Sequence, residues 1–129
     1  MKTYVMGNWK MNLTVGDSSI YLQRLLKKIK PSRGLEIIIA PSAISLPSLS
    51  LQLERNKSKI KLAAQNFYQK DFGAYTGEIS IAQLRGVVSY ALIGHSERRF
   101  IFGETNKDIS QKVAAAIRSG ITPILCIGE

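Results

Sequence analysis

Short apolar runs alternate with amphipathic stretches along this chain, and that alternation restricts its fold more than any other feature. Tyr4, Val5 and Met6 place a first strand at 3–7, since aromatic and β-branched residues favour a pleated, half-buried surface. Ile20, Leu22, Leu25, Leu26 and Ile29 then fall near the i, i+3, i+4, i+7 spacing of one helix face. Thr14 is placed to cap that helix, with Asp17 three residues on, and Pro31 and Gly34 end it. Residues 35–40 are almost continuously apolar, as strands buried on both faces of a parallel sheet are. Residues 42–56 carry Leu46, Leu49 and Leu53 on one face, with Pro47 near the start, and predict a second helix. Residues 59–64 predict a third strand.

A polar and aromatic loop fills 65–78 and holds Gly73 and Gly77; loops of this length in compact domains usually have a function. A short helix at 80–85 leads to a fourth strand at 90–93, ended by Gly94, with Ser96 suited to cap the helix that follows. Thr105 or Asn106 caps the last helix, which turns Ile109, Val113, Ala116 and Ile117 inward and stops at Gly120. A fifth strand is expected at 121–127.

The order β-α-β-α-β-α-β-α-β implies an α/β fold whose parallel strands are joined by right-handed crossovers. It suits either an open doubly wound sheet or part of a closed (β/α)₈ barrel. No Gly-x-Gly-x-x-Gly follows the first strand and no P-loop signature is present, so nucleotide binding lacks its usual support. A whole barrel takes about 250 residues, and four βα units with one further strand make roughly half of one. Residues 1–129 therefore read as a single domain's worth of chain or less.

Composition narrows the partners. An apolar share of 45% with 21% charged residues is that of an ordinary soluble domain. No apolar run is long enough to span a membrane and no basic-then-apolar leader opens the chain, so no membrane partner is expected. The single cysteine, Cys126, excludes an internal disulfide and fits a reducing cytoplasm. Eighteen basic residues against nine acidic give +9. The cations gather at helix ends, Lys27, Lys28, Lys30 and Arg33 after one helix and Arg55, Lys57, Lys59 and Lys61 around another, with no interleaved aromatics to stack bases. Nucleic acid is thus not the expected partner; a positive field also attracts phosphorylated metabolites.

The chemistry concentrates in Ile93-Gly94-His95-Ser96-Glu97-Arg98-Arg99, which holds the only histidine. A histidine at a strand's carboxyl end is by itself more often structural than catalytic. A second polar stretch, Gly7-Asn8-Trp9-Lys10-Met11-Asn12, closes the first strand. In a barrel both ends open on one face, where Asn8, Lys10, His95 and Glu97 would converge. A lysine, an imidazole and a carboxylate over one site suit carbonyl chemistry on an anionic substrate.

These two stretches, together with Ala64-Gln65-Asn66, Gly73-Ala74-Tyr75-Thr76-Gly77-Glu78-Ile79-Ser80, Phe102-Gly103-Glu104-Thr105 and Leu125-Cys126-Ile127-Gly128-Glu129, make a sequence that resembles the triosephosphate isomerase family along its whole length. The resemblance implies a (β/α)₈ TIM barrel of which 1–129 is the N-terminal part. It implies a cytoplasmic enzyme of glycolysis and gluconeogenesis that interconverts dihydroxyacetone phosphate and D-glyceraldehyde 3-phosphate through an enediolate, with no cofactor and no metal. Lys10 would supply positive charge to the substrate and Asn8 would help position it. His95 would polarise the carbonyl as a neutral imidazole, a role for which this family is itself the standard example. Glu97 would be a supporting carboxylate beside Lys10. The resemblance further implies a homodimer in which Thr76, at the tip of the 65–78 loop, braces the partner's Asn8 and Glu97; the aromatics Phe67, Tyr68, Phe72 and Tyr75 suit such an interface. Trp9, Met11 and Cys126 are expected to pack rather than react, Arg98 and Glu104 to form a structural or interface ion pair, and Glu129 to support the site.

The family's carbon-abstracting glutamate and lid follow its sixth strand, and its further phosphate-binding loops follow strands seven and eight. None has a counterpart in 1–129, so these residues alone are expected to be inactive. Two other readings stay open: a half-barrel that associates with a complementary half, and a sugar-phosphate binding module without turnover.

Overall fold

The computed structural model describes residues 1–128; Glu129 and its expected supporting role lie outside the described residues. Five strands, β1 (Thr3–Asn8), β2 (Leu35–Ala40), β3 (Lys61–Ala64), β4 (Tyr90–Ile93) and β5 (Thr122–Leu125), form one sheet in sequence order, every pair parallel. Helices α1 (Val15–Lys28), α2 (Leu46–Arg55), α3 (Ile81–Leu84), α4 (Ser96–Phe100) and α5 (Asn106–Arg118) fill the crossovers. Strand order identical to chain order is the winding of a barrel, so the five strands form a curled half of a (β/α)₈ barrel. A doubly wound sheet would reverse its order at a switch point, and this one does not.

Alternation along the strands separates two cores. Ile39, Leu62, Ala64, Ala91 and Ile93 face the helices and meet Leu22, Leu49, Leu53 and Ala116 there. Ile38, Ala40, Ala63 and Leu92 face the concave side, where Met6, Tyr90, Ile124 and Cys126 join them. Both outer strands are left without a second neighbour among the described residues, and Tyr4, Val5 and Leu125 remain exposed on them.

Local signals account for the element bounds. Thr14 caps α1 by accepting the Asp17 N–H, and Ser80 and Thr105 build reciprocal capping boxes at α3 and α5. Five expectations fail. α4 is capped by His95, not Ser96, because the imidazole Nδ1 takes the N–H that a hydroxyl was expected to take. The 42–56 helix begins as a 3₁₀ turn at Ala43–Ser45, and α2 proper starts beside Pro47. β3 starts at Lys61 rather than 59, and β5 covers only Thr122–Leu125 of 121–127. Ile117 is exposed, since the buried stripe of α5 runs through Ile109, Lys112, Ala115 and Ala116 and Ile117 lies about 100° round from Ala116.

Two aromatic or apolar expectations are also revised. Phe67 is a fully buried core residue and not a surface aromatic of the 65–78 loop, whereas Phe72 stands exposed. Met11 does not pack: it is exposed in the turn after β1, while its neighbour Trp9 meets Tyr21 edge to face with ring centroids 5.1 Å apart.

Candidate active site

The site begins with a backbone contortion. After β1 the chain must turn across the end of the sheet, and Lys10 makes the turn with φ 54°, a left-handed conformation uncommon for a side-chain-bearing residue. Hydrogen bonds on both sides hold it there. Asn8 Oδ1 accepts the Lys10 N–H at 3.0 Å, and Gln65 Nε2 donates to the Lys10 carbonyl at 2.8 Å. The same Gln65 amide donates to the Ala40 carbonyl at 2.9 Å, and Trp9 N–H donates to that oxygen at 3.0 Å. One amide therefore ties together the carboxyl ends of β1, β2 and β3.

The second half of the site comes from β4. Gly94, with φ 73°, turns the chain sharply, and an added Cβ there would lie 2.7 Å from Arg99 Nη2. His95 follows in extended conformation and caps α4: its Nδ1 accepts the Glu97 N–H at 3.1 Å. A ring nitrogen that accepts carries no proton, so in this arrangement the neutral imidazole carries its proton on Nε2, a donor that meets no acceptor among the described residues. Glu97 Oε2 lies 3.7 Å from Nδ1, a near approach and not an ion pair in that tautomer.

Lys10 Nζ reaches 2.8 Å from Glu97 Oε1 and closes the gap between the two halves. The ammonium's hydrogen bond is the main cause that holds the Glu97 carboxyl below its ordinary range. With side chains 51% and 43% exposed, the pair contributes little to stability and serves to place two opposite charges beside an imidazole. Asn8, Lys10, His95 and Glu97 thus stand at the carboxyl ends of β1 and β4, with Lys10 and His95 both beside Glu97.

Thr76 does not join them within the chain. It stands exposed at the tip of its loop, which folds back so that the Tyr68 and Tyr75 rings lie 4.5 Å apart. Cys126 packs against the concave core, and burial pushes its thiol up, which opposes nucleophilic use.

Three contributors escape sequence reasoning. Gln65 lies in a quoted block, but nothing local shows that its amide serves two other strands. Arg99 donates to the Gly94 carbonyl at 2.7 Å, to Asn106 Oδ1 at 2.9 Å and to the Cys126 carbonyl at 3.1 Å, which fixes the His95 loop. Lys112 is buried: its Nζ donates to Asn66 Oδ1 at 2.7 Å and to Glu104 Oε2 at 2.9 Å. Arg98 Nε meets the same Glu104 oxygen at 2.8 Å, so Arg98 and Glu104 form the expected ion pair within a triad. Burial alone would raise the Glu104 carboxyl, but Arg98 and Lys112 outweigh it and hold the group below its ordinary range.

The family model described as triosephosphate isomerase matches residues 3–129. Proteins named triosephosphate isomerase from Dehalococcoides mccartyi and Pelobacter propionicus are 45% and 44% identical over 125 and 126 residues, 97% of this chain and 49% of each relative. One from Shewanella oneidensis is 44% identical over 134 residues, 97% of this chain and 50% of its own length. The chain spans about half the length of the curated relatives it matches. With its sheet wound as a barrel half and two polar strand ends joined by Lys10 and Glu97, the chain belongs to the triosephosphate isomerase family.

Proposed function

We propose that this chain supplies the carbonyl-polarising half of a triosephosphate isomerase site. The observation that carries the proposal is the placement of Lys10 Nζ 2.8 Å from Glu97 Oε1, next to an imidazole whose Nδ1 is engaged by the Glu97 N–H at 3.1 Å. Isomerisation of a triose phosphate moves one proton between adjacent carbons and passes through an enediolate. Nε2–H of His95 donates to the carbonyl oxygen as negative charge builds there, then exchanges protons between the two oxygens. Lys10 offsets the charge on the enediolate and the phosphate, and Asn8 helps orient the substrate. Glu97 holds the ammonium in position. The base that removes the carbon proton and the loops that grip the phosphate are assigned to the further half of chain that the relatives possess. Residues 1–129 would then be the N-terminal part of one barrel domain, working in glycolysis and gluconeogenesis in the cytoplasm.

The test is an isomerase assay on the product of the native gene, with its intact mass determined. A product with the mass of a whole barrel should turn over D-glyceraldehyde 3-phosphate, and Lys10→Met or His95→Gln should each lower kcat about 10²–10³-fold. A whole-barrel product without isomerase activity sinks the proposal.

The outer edges of β1 and β5, each without a second neighbour among the described residues, favour a second reading, in which the chain as given pairs with a complementary half. A product no heavier than these 129 residues, active only once that half is added, would favour it. A homodimer braced by Thr76 fits the exposed Phe72, Tyr75 and Phe102. Sedimentation as a monomer at micromolar concentration would dismiss it.

A further inference from the structure

The end of the sheet opposite Lys10 and His95 carries a groove of about 560 Å³ between the ends of α1 and α2 and the beginnings of β2 and β3. That volume is in the range of small-molecule sites. Its apolar lining is aliphatic, with Leu26, Ile29, Ile37 and Ile60. Lys30, Arg33, Lys57 and Lys59 also line it, and no lining residue is acidic. Among the described residues none of these four cations makes an ion pair.

Helix ends explain only part of this. Cations offset the carbonyl end of a helix within its last turn, and those turns already hold Lys27 and Lys28 in α1 and Arg55 in α2. The four groove cations lie beyond them, in the segments that lead into β2 and β3, with Arg33 and Lys57 on hydrogen-bonded turns and Lys30 and Lys59 beside them. Leu35 N–H donates to the Ser32 carbonyl at 3.2 Å in one turn. In the other, Lys57 N–H donates to the Glu54 carbonyl and Ser58 N–H to the Leu53 carbonyl, both at 3.0 Å. Four like charges around one groove repel one another, and an anion that enters it offsets that repulsion.

We infer that this groove binds a small organic anion with an aliphatic body and a phosphate head, an alkyl phosphate in chemical class. A phosphate monoester carries close to two negative charges and answers this rim better than a carboxylate would. The absence of any aromatic ring from the lining argues against a nucleotide, whose base would need a stacking partner. The ligand binds free in solution, at the face remote from Lys10 and His95, independently of the proposed isomerase chemistry.

Titration of the native protein with monomeric n-octyl phosphate, followed by amide chemical shifts, tests this. Saturable binding is expected, with shifts concentrated at 29–35 and 56–60. The paired substitution Lys57→Gln with Lys59→Gln should weaken it about tenfold, and Lys30→Gln with Arg33→Gln should do the same. All four side chains belong to exposed residues, and unchanged circular dichroism will show that the fold is intact. Equal affinity for octanol would show that the charged rim is idle and overturn the inference. Equal affinity for inorganic phosphate would dispose of the aliphatic floor. Binding to anionic phosphatidylglycerol vesicles without binding to monomeric octyl phosphate would reassign the face to a membrane surface, and absence of saturation would reject the site outright.

Discussion

Arg99 Nη2 donates to the Cys126 carbonyl 3.1 Å away, which fastens the loop that carries His95 to the end of the neighbouring strand. The same guanidinium holds the Gly94 carbonyl through Nε at 2.7 Å. A lysine at this position has one point charge and no fork, so Arg99→Lys keeps the charge and loses the geometry. We expect a loss of about 1–3 kcal/mol in denaturant unfolding of the native protein, together with a displaced His95 ring resonance. An unmoved resonance at reduced stability would confine Arg99 to a purely structural role.

Gly94 offers a second probe of the same corner. Its φ of 73° and the 2.7 Å that would separate an alanine Cβ from Arg99 Nη2 make Gly94→Ala strained in backbone and in packing. The expected cost is about 1–3 kcal/mol, visible as a lower denaturant midpoint. A midpoint equal to the native one would mean that the turn relaxes freely.

The Glu97 carboxyl, beside Lys10, should titrate in a defined direction. The Glu97 carboxyl is held below 4.5, chiefly by its hydrogen bond from Lys10. A depressed folded value means that the contribution to stability is present above the unfolded value and fades as the pH falls through the folded one. Carbon-detected titration should therefore place Glu97 below 4.5, and Lys10→Met should return it toward that value. Coincident curves would show that the pair does not persist in solution.

The floor of the half-barrel holds a different ionisation. Tyr90 O–H donates to Glu36, which also pairs with Lys2 at 3.0 Å. That hydrogen bond is the main cause that pushes the Tyr90 phenol up to about 12. A raised value gives stability that is whole below the ordinary tyrosine range near 10 and lost as the pH climbs through about 12. Ultraviolet titration of the folded protein should show one late-ionising tyrosine, and Tyr90→Phe should remove it, at a cost of about 1 kcal/mol near neutral pH. A late component that survives the substitution would belong to another residue.

Lys112 carries the largest expected effect. Among the described residues, Lys112→Met leaves buried Glu104 with Arg98 as its one remaining cation, and Oε1 already lacks a partner there. Removing one member of a buried ion pair costs about 3–5 kcal/mol. The double variant Lys112→Met with Glu104→Gln should lose less than the sum of the two single losses, as coupled residues do. Additive losses in a double-mutant cycle would mean that the two side chains are not coupled.

Legibility from sequence followed the range over which each signal acts. β2 and β4 are found to the residue because punctuation flanks their apolar runs: Gly34 and Pro41 for one, Gly94 for the other. The caps at Thr14 and Thr105 obey rules that span three residues, whereas Ser80, expected as the first residue of its helix, proves to be its cap. His95, Lys10, Glu97 and Asn8 could be read as candidates for one site because, in a barrel, the carboxyl ends of the strands open on one face. Lys112 was not, since a lysine on a buried stripe contradicts helical patterning and only Glu104 and Asn66, distant in sequence, make the position tolerable. Phe67 deceived for the opposite reason: its neighbours Tyr68, Phe72 and Tyr75 suggested a surface loop, and nothing local distinguishes the ring that turns inward.

The double grip of the Gln65 amide on the Lys10 and Ala40 carbonyls makes the Lys10 turn a property of three strand ends rather than of β1 alone. The hydrogen bonds on either side of this left-handed kink come from Asn8 and Gln65. Among the described residues none comes from His95 or Glu97. Lys10 therefore carries its ammonium to Glu97 from a turn whose own hydrogen bonds do not depend on β4.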